Sequence, residues 1–118
     1  MTDDRCDLLC LDLAKAEALR ADRLGEHDAK RLGDRAKAIG DATRVTIAMV
    51  LARTDELCVC DLAWITERAE NLVSHHLRVL RDAGLVTARR DGRMMLYALT
   101  ATGRQVLTAM APDAAVKS

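Results

Sequence analysis

Apolar residues recur at helical spacing along most of this chain, and only late in the sequence does the spacing change to alternation. A short helix is expected over Leu13 to Leu24, stopped by Gly25. Over Ala29 to Ile39, Leu32, Ala36 and Ile39 fall on one face, with Gly40 just beyond. Asp41 is placed to N-cap the next helix, DATRVTIAMVLAR, whose apolar face carries Val45, Ala48, Met49 and Ala52. Thr54-Asp55-Glu56 reads as the start of a shorter helix running to about Ile65, capped by Asp55 or Thr54 and burying Leu57, Ala63 and Trp64. Thr66 to Glu70 lacks an apolar period and reads as a turn. The segment NLVSHHLRVLRDAG then brings Leu72, Val73, Leu77 and Leu80 to helical spacing and ends at Gly84. A short helix, a brief turn and a second helix make a helix-turn-helix pattern, although many helical hairpins look alike.

The run LVTARRDGRMMLYAL changes the picture. Val86, Ala88, Met95, Tyr97 and Leu99 alternate, with Asp91-Gly92 between the halves, which is a strong hairpin signal. A two-stranded ribbon directly after the second helix is a wing. Thr100 or Thr102 can cap a last helix to about Met110, bearing Val106, Leu107 and Met110, and Pro112 begins a tail. The fold class expected is therefore mainly α with a small β-hairpin, a winged helix-turn-helix. The division expected is an N-terminal arm over 1–28, the winged domain over 29–111 and a flexible tail over 112–118. With one Trp, one Tyr and no Phe, aliphatic side chains must fill the core. A small helical fold of this kind often completes its core by dimerising, and the stripe of Val106, Leu107 and Met110 offers either a homodimer surface or part of the internal core.

Lys and Arg total 18 and so do Asp and Glu, so net charge is silent about nucleic acid, but its distribution is not. Met1 to Asp28 holds four basic residues against eight acidic ones, whereas Glu67 to Arg93 holds six arginines against four acidic residues, plus His75 and His76. On the second helix Asn71, Ser74, His75, Arg78 and Arg81 are the polar positions able to enter a major groove. Arg89, Arg90 and Arg93 flank the ribbon turn, where phosphates or a minor groove would meet them. The plainer reading is that these arginines only solvate the surface. His76 suits packing at the helix edge. Glu67 and Glu70 favour the helix field but repel phosphate. So small a module needs a homodimer to read double-stranded operator DNA, with half-sites about 34 Å apart.

The start, MTDDRCDLLCLDLAKAE, is acidic and lacks a long apolar run, and no segment approaches a membrane-spanning length, so a cytoplasmic protein without a membrane partner is expected. There, thiols are favoured over disulfides. The four cysteines fall in two close pairs, Cys6 with Cys10 and Cys58 with Cys60. Any one of them could be a core residue; the clustering points to metal or redox chemistry, and soft thiolates prefer soft or borderline ions. Cys6 and Cys10 could share a helical face. Cys58 and Cys60 would not converge on a regular helix, so one ion can use both only if the helix start is adjusted or an outside segment brings ligands to it.

Glu56-Leu57-Cys58-Val59-Cys60-Asp61 is similar to the metal-box signature of the ArsR/SmtB family of metal-responsive repressors. Ser74-His75-His76-Leu77-Arg78-Val79-Leu80, with Asp82-Ala83-Gly84-Leu85-Val86, resembles that family's recognition helix and the beginning of its wing, and the likeness covers roughly Ala29 to Leu99. Cys6 and Cys10, in RCDLLCLD, resemble the arm of the cadmium/lead-responsive, CadC-like branch. The resemblance implies that Cys6, Cys10, Cys58 and Cys60 are the metal ligands, with Cys6 the least secure, and that the arm of one subunit reaches the metal box of the other. It implies a non-enzymatic repressor that holds operator DNA when metal-free and leaves it on binding cadmium or lead, with zinc a further candidate. Some relatives carry a second zinc site of Asp and His on the last helix; Thr100 to Met110 contains neither, so no such site is expected. An arsenite-responsive or thiol-redox repressor, and a structural zinc-binding interaction module, remain as alternatives.

Overall fold

The computed structural model describes residues 10–112; Cys6 and the tail from residue 113 onward lie outside them. Six helices and one hairpin follow in the order α1 (Leu13–Asp22), α2 (Glu26–Ile39), α3 (Ala42–Leu51), α4 (Val59–Thr66), α5 (Glu70–Asp82), β1 (Val86–Asp91), β2 (Met94–Leu99) and α6 (Ala101–Met110). No helix among the described residues is long and apolar enough to cross a membrane. The mainly helical winged helix-turn-helix is thus observed.

The described residues divide into two compact units, parting between Lys30 and Arg31. In the first, Asp12 caps α1 by accepting the Lys15 N–H at 2.8 Å. That helix has no buried residue, and Leu13 and Leu19 lie open.

In the second unit an aliphatic core forms from Ile47, Leu51, Leu62, Val73, Leu77, Leu80, Leu85 and Leu107. Each such side chain contributes on the order of 1.5–3 kcal/mol when fully buried. The expected face of α2 was too broad: Ile39 and Ala38 reach the core, whereas Leu32 and Ala36 are exposed. Asp41 caps α3 as expected, accepting the Arg44 N–H at 3.0 Å. That bond and the Arg44 charge hold the Asp41 carboxyl below the usual carboxylate range. On α5, Val73, His76, Leu77 and Leu80 form the buried stripe, and Leu72 sits at its exposed edge.

Gly84 ends α5 at φ 77°, in the left-handed region. Its N–H reaches the Arg81 carbonyl at 3.0 Å and the Leu85 N–H reaches the Leu80 carbonyl at 2.9 Å, so the chain turns sharply and buries Leu85 beside Leu80. The strands pair antiparallel from Val86↔Leu99 to Asp91↔Met94 around Gly92-Arg93. Cross-strand partners share a face, so Val86, Ala88, Met95, Tyr97 and Leu99 all project to one side, as their alternation required. Thr100 caps α6, accepting the Gly103 N–H at 3.0 Å and donating to the Gly84 carbonyl at 2.8 Å.

One further sequence expectation is corrected. The helix expected from Thr54-Asp55-Glu56 begins four residues after Asp55, at Val59, because Leu57 is drawn into backbone pairing with Tyr97 instead. The buried face of α4 falls on Leu62 and Ala63, and Trp64 is 83% exposed. Leu107 belongs to the internal core at 1% exposure, so of the terminal stripe only Met110 remains open, with Val106 packed against the core.

Beneath α5, the Arg44 guanidinium donates through Nε to the Ala38 carbonyl at 2.6 Å and through Nη1 to His76 Nδ1 at 3.2 Å. His76 thereby accepts as the neutral ring. Burial pushes its pKa below 6.5, the Arg44 and His75 charges add to that, and Asp41 opposes it. A lowered histidine pKa means that the unfolded chain binds the extra proton first. Stability is therefore expected to fall as pH drops below about 6.5 toward the folded-state value, and to be indifferent to this group above it. Thermal melts at pH 7.5 and 5.5 check this: His76→Gln should lose less on acidification than the parent chain, and equal losses would exclude His76 as the source.

Candidate nucleic-acid interface and cysteine pair

The helix-turn-helix is α4, the three residues 67–69 and α5. Glu67 takes the left-handed conformation at φ 55°, which closes α4 and lets Arg68 N–H reach the Ala63 carbonyl at 3.1 Å. The buried stripe of α5 fixes the rotation of that helix and so decides what it presents to solvent. Asn71, His75, Arg78 and Arg81 are exposed, and Ser74 is half-buried. His75 lies against His76, ring centroids 5.6 Å apart.

Ser74, Arg78 and Arg81 line one open cleft of about 430 Å³ together with Asp82 and Tyr97. Tyr97 was anticipated only as one of the alternating hairpin positions. The available signal was its hydroxyl, since a tyrosine on an inward face needs a polar edge for that group. Arg90 and Arg93 are exposed on the wing and have no ion pair among the described residues. Arg89 differs from both. Its Nε donates to Glu56 Oε2 at 2.9 Å and its Nη2 to Glu56 Oε1, a two-point ion pair. The pair lowers the Glu56 pKa and raises that of Arg89. Nothing in the sequence marked Glu56 as a partner of the wing.

The cysteines reach the described structure as three thiols, with Cys10 and Cys60 exposed and Cys58 half-buried. Cys58 is the N-cap of α4, with extended backbone at φ −86°, ψ 169°, and its side chain makes no capping bond. It therefore stands outside the helical phase that would have separated it from Cys60. Cys60, in the first turn, has its pKa raised first by the Glu70 carboxylate, then by Cys58 and by partial burial. Both Cys58 and the Glu70 carboxylate thus act on the Cys60 thiol, where the sequence had given Glu70 a helix-field role and repulsion of phosphate. No group of three or more His, Cys, Asp or Glu residues able to hold a metal occurs among the described residues. The Cys58–Cys60 pair suits a thiophilic cation by donor chemistry and needs further donors to complete a coordination shell.

Residues 41–88, from the cap of α3 to the first turns of the wing, match the bacterial regulatory protein, arsR family. The chain is 37% identical over 99 residues to the cadmium resistance transcriptional regulatory protein CadC homolog of Staphylococcus aureus, spanning 84% of this chain and 81% of that protein. It is 36% identical over 94 residues to the transcriptional repressor SmtB homolog of Synechocystis, spanning 80% and 70%. Its fold resembles the homodimeric winged helix-turn-helix DNA-binding domain of Mycobacterium bovis, with a TM-score of 0.67, 23% identity, and coverage of 89% of this chain and 88% of that one. The fold, the helix-turn-helix and the extent of these matches make the chain a member of the ArsR/SmtB family of DNA-binding transcriptional regulators, which are not enzymes.

Proposed function

We propose that the protein is a homodimeric repressor that grips operator DNA in the metal-free state and releases it when cadmium or lead, or zinc, binds its cysteines. The observation that carries this reading is the placement of Cys58 as the N-cap of α4 and Cys60 in its first turn, on the helix that leads into the recognition helix. The relatives named for cadmium resistance and for transcriptional repression support it, as does the homodimeric Mycobacterium bovis domain. Cys58 and Cys60 supply two thiolates, and Cys10 and Cys6 from the arm of a second copy supply the remaining donors.

Each element of the chain has a defined task. Asn71, Ser74, His75, Arg78 and Arg81 face the major groove, Arg90 and Arg93 serve the flanking phosphates, and Arg89 can join them only when Glu56 lets it go. Cys60, held protonated by the neighbouring carboxylate and thiol, gives up its proton when a dication is bound. The cation supplies the positive charge that keeps the sulfurs ionised and together. Release follows only if the bound ion favours the dimer shape that fits DNA poorly, and operator must then weaken ion binding by the same factor.

The test is a titration of an operator selected in vitro, bound to the reduced protein, with cadmium, lead, zinc and arsenite, while thiolate-to-metal absorption is followed. Operator affinity should fall on the order of 10–100-fold with cadmium or lead. Cys58→Ser and Cys60→Ser should each bind operator as the parent does and stay bound when metal is added; serine is itself a good N-cap, so position 58 keeps its helix start. Undiminished release in both variants refutes the site. Release by arsenite alone would make the protein an arsenical sensor instead, and tight zinc binding with no effect on DNA would make it a structural zinc module.

A further inference from the structure

Arg89 and Arg90 are adjacent in β1 but serve opposite faces of the ribbon. Arg90 pairs with Met95 and lies on the face of Ala88 and Tyr97, the tyrosine of the DNA-side cleft. Arg89 pairs with Leu96 and lies on the other face, where the Glu56 carboxylate takes its Nε and Nη2 together. Those donors form one of the two edges with which a guanidinium grips a phosphate by two points. Glu56 is not carried there by a loose loop. Its neighbour Leu57 is stitched to β2 by two backbone bonds, Leu57 N–H to the Tyr97 carbonyl at 3.0 Å and Tyr97 N–H to the Leu57 carbonyl at 2.8 Å. The pair is also open to water, with side-chain exposures of 58% for Arg89 and 29% for Glu56. An ion pair in that setting is weak enough to exchange one anion for another.

We infer that Glu56 is an internal competitor for DNA: its carboxylate occupies the Arg89 guanidinium in place of a backbone phosphate and so holds down the affinity of the wing for duplex. The inference rests on the reading that the wing arginines meet DNA. It gives Arg89 a different role from Arg90 and Arg93, which engage phosphate directly, and it puts the competing carboxylate two residues before Cys58, on the segment that carries the thiol pair.

Phosphate contact is independent of sequence, so the test uses the full-length protein, reduced and with chelator present, and a labelled mixed-sequence duplex at several salt concentrations. Glu56→Gln keeps the size of the side chain and removes its charge. It should bind about 3–10-fold more tightly at ~0.1 M salt, with the slope of log affinity against log salt steeper by about 0.9 for each Arg89 that gains a phosphate. Arg89→Ala alone should change affinity less than twofold, and the same change in the Glu56→Gln background should erase the gain. Unchanged or weaker binding by Glu56→Gln overturns the inference, as does a gain that survives the loss of Arg89. Arg90→Ala with Arg93→Ala separates the layers: if this pair weakens binding while Glu56→Gln does nothing, only the competitor role fails, and if neither matters the wing reading fails with it.

Discussion

Gly103→Ala is expected to lower the free energy of unfolding by roughly 2–4 kcal/mol. A Cβ at position 103 would lie 2.3 Å from the Leu85 carbonyl oxygen and 3.2 Å from its carbon, with Leu99 Cδ2 at 3.0 Å. The nearest obstacle is backbone and cannot swing aside. It is also tied in place, since the Leu85 carbonyl accepts the Thr100 N–H at 3.0 Å while the Thr100 hydroxyl holds Gly84. Alanine is the better helix former by about 1 kcal/mol, which offsets part of the overlap and not the whole. Gly33 supplies the control: it lies inside α2 with nothing within 4 Å of a built Cβ, so Gly33→Ala should stabilise by about 0.5–1 kcal/mol. Urea unfolding followed by helical circular dichroism measures both, and a Gly103→Ala protein as stable as the parent would show that α6 can step back from Leu85.

Arg78→Ala should weaken operator binding by about 1–3 kcal/mol for each half-site, so that a dimer contacting two loses roughly 30-fold or more. Arg78 is exposed on α5 and lines the cleft with Ser74, Arg81 and Tyr97, while the opposite face of the helix is held by Val73, Leu77 and Leu80. Truncation should thus leave the melting temperature nearly unchanged. Affinities for the selected operator and for unrelated duplex separate the two kinds of contact. If Arg78 reads a base edge, operator binding falls while unrelated duplex is little affected; if it meets phosphate, both fall and the salt dependence flattens. Operator affinity within twofold of the parent removes Arg78 from the interface.

The wing and recognition helix were legible because local chemistry and tertiary packing agree there. Alternation from Val86 to Leu99 matches the strand faces, and Gly84 marks the turn between helix and hairpin. Local chemistry misled at Thr54-Asp55-Glu56, which looks like a helix cap. The structure spends that stretch on a backbone bridge to β2, a partner that no short window contains. A second error stands beside it: Trp64 is apolar and was assigned inward, but the face of α4 that reaches the core carries Leu62 and Ala63, and Trp64 is open to solvent. The cysteine chemistry could be read from residue type, whereas the place of Cys58, in extended backbone before the helix that carries Cys60, could not. For the arm, Cys6 lies outside the described residues and Cys10 falls in the first unit, so its part in the site rests on the cysteine pattern.

Glu56 and Arg89 stand 33 positions apart, with α4 and α5 between them, and the backbone stitch beside them closes a similar length of chain. Bringing such distant ends together carries an entropic penalty that only an already assembled interior offsets. An order of folding is expected from this: α3, α4 and α5 should collapse first through near-neighbour contacts, and the ribbon should dock onto them afterwards. Local opening should run in reverse, so amide protons of the stitch exchange with solvent sooner than those of Leu77 and Leu80, deep in the interior.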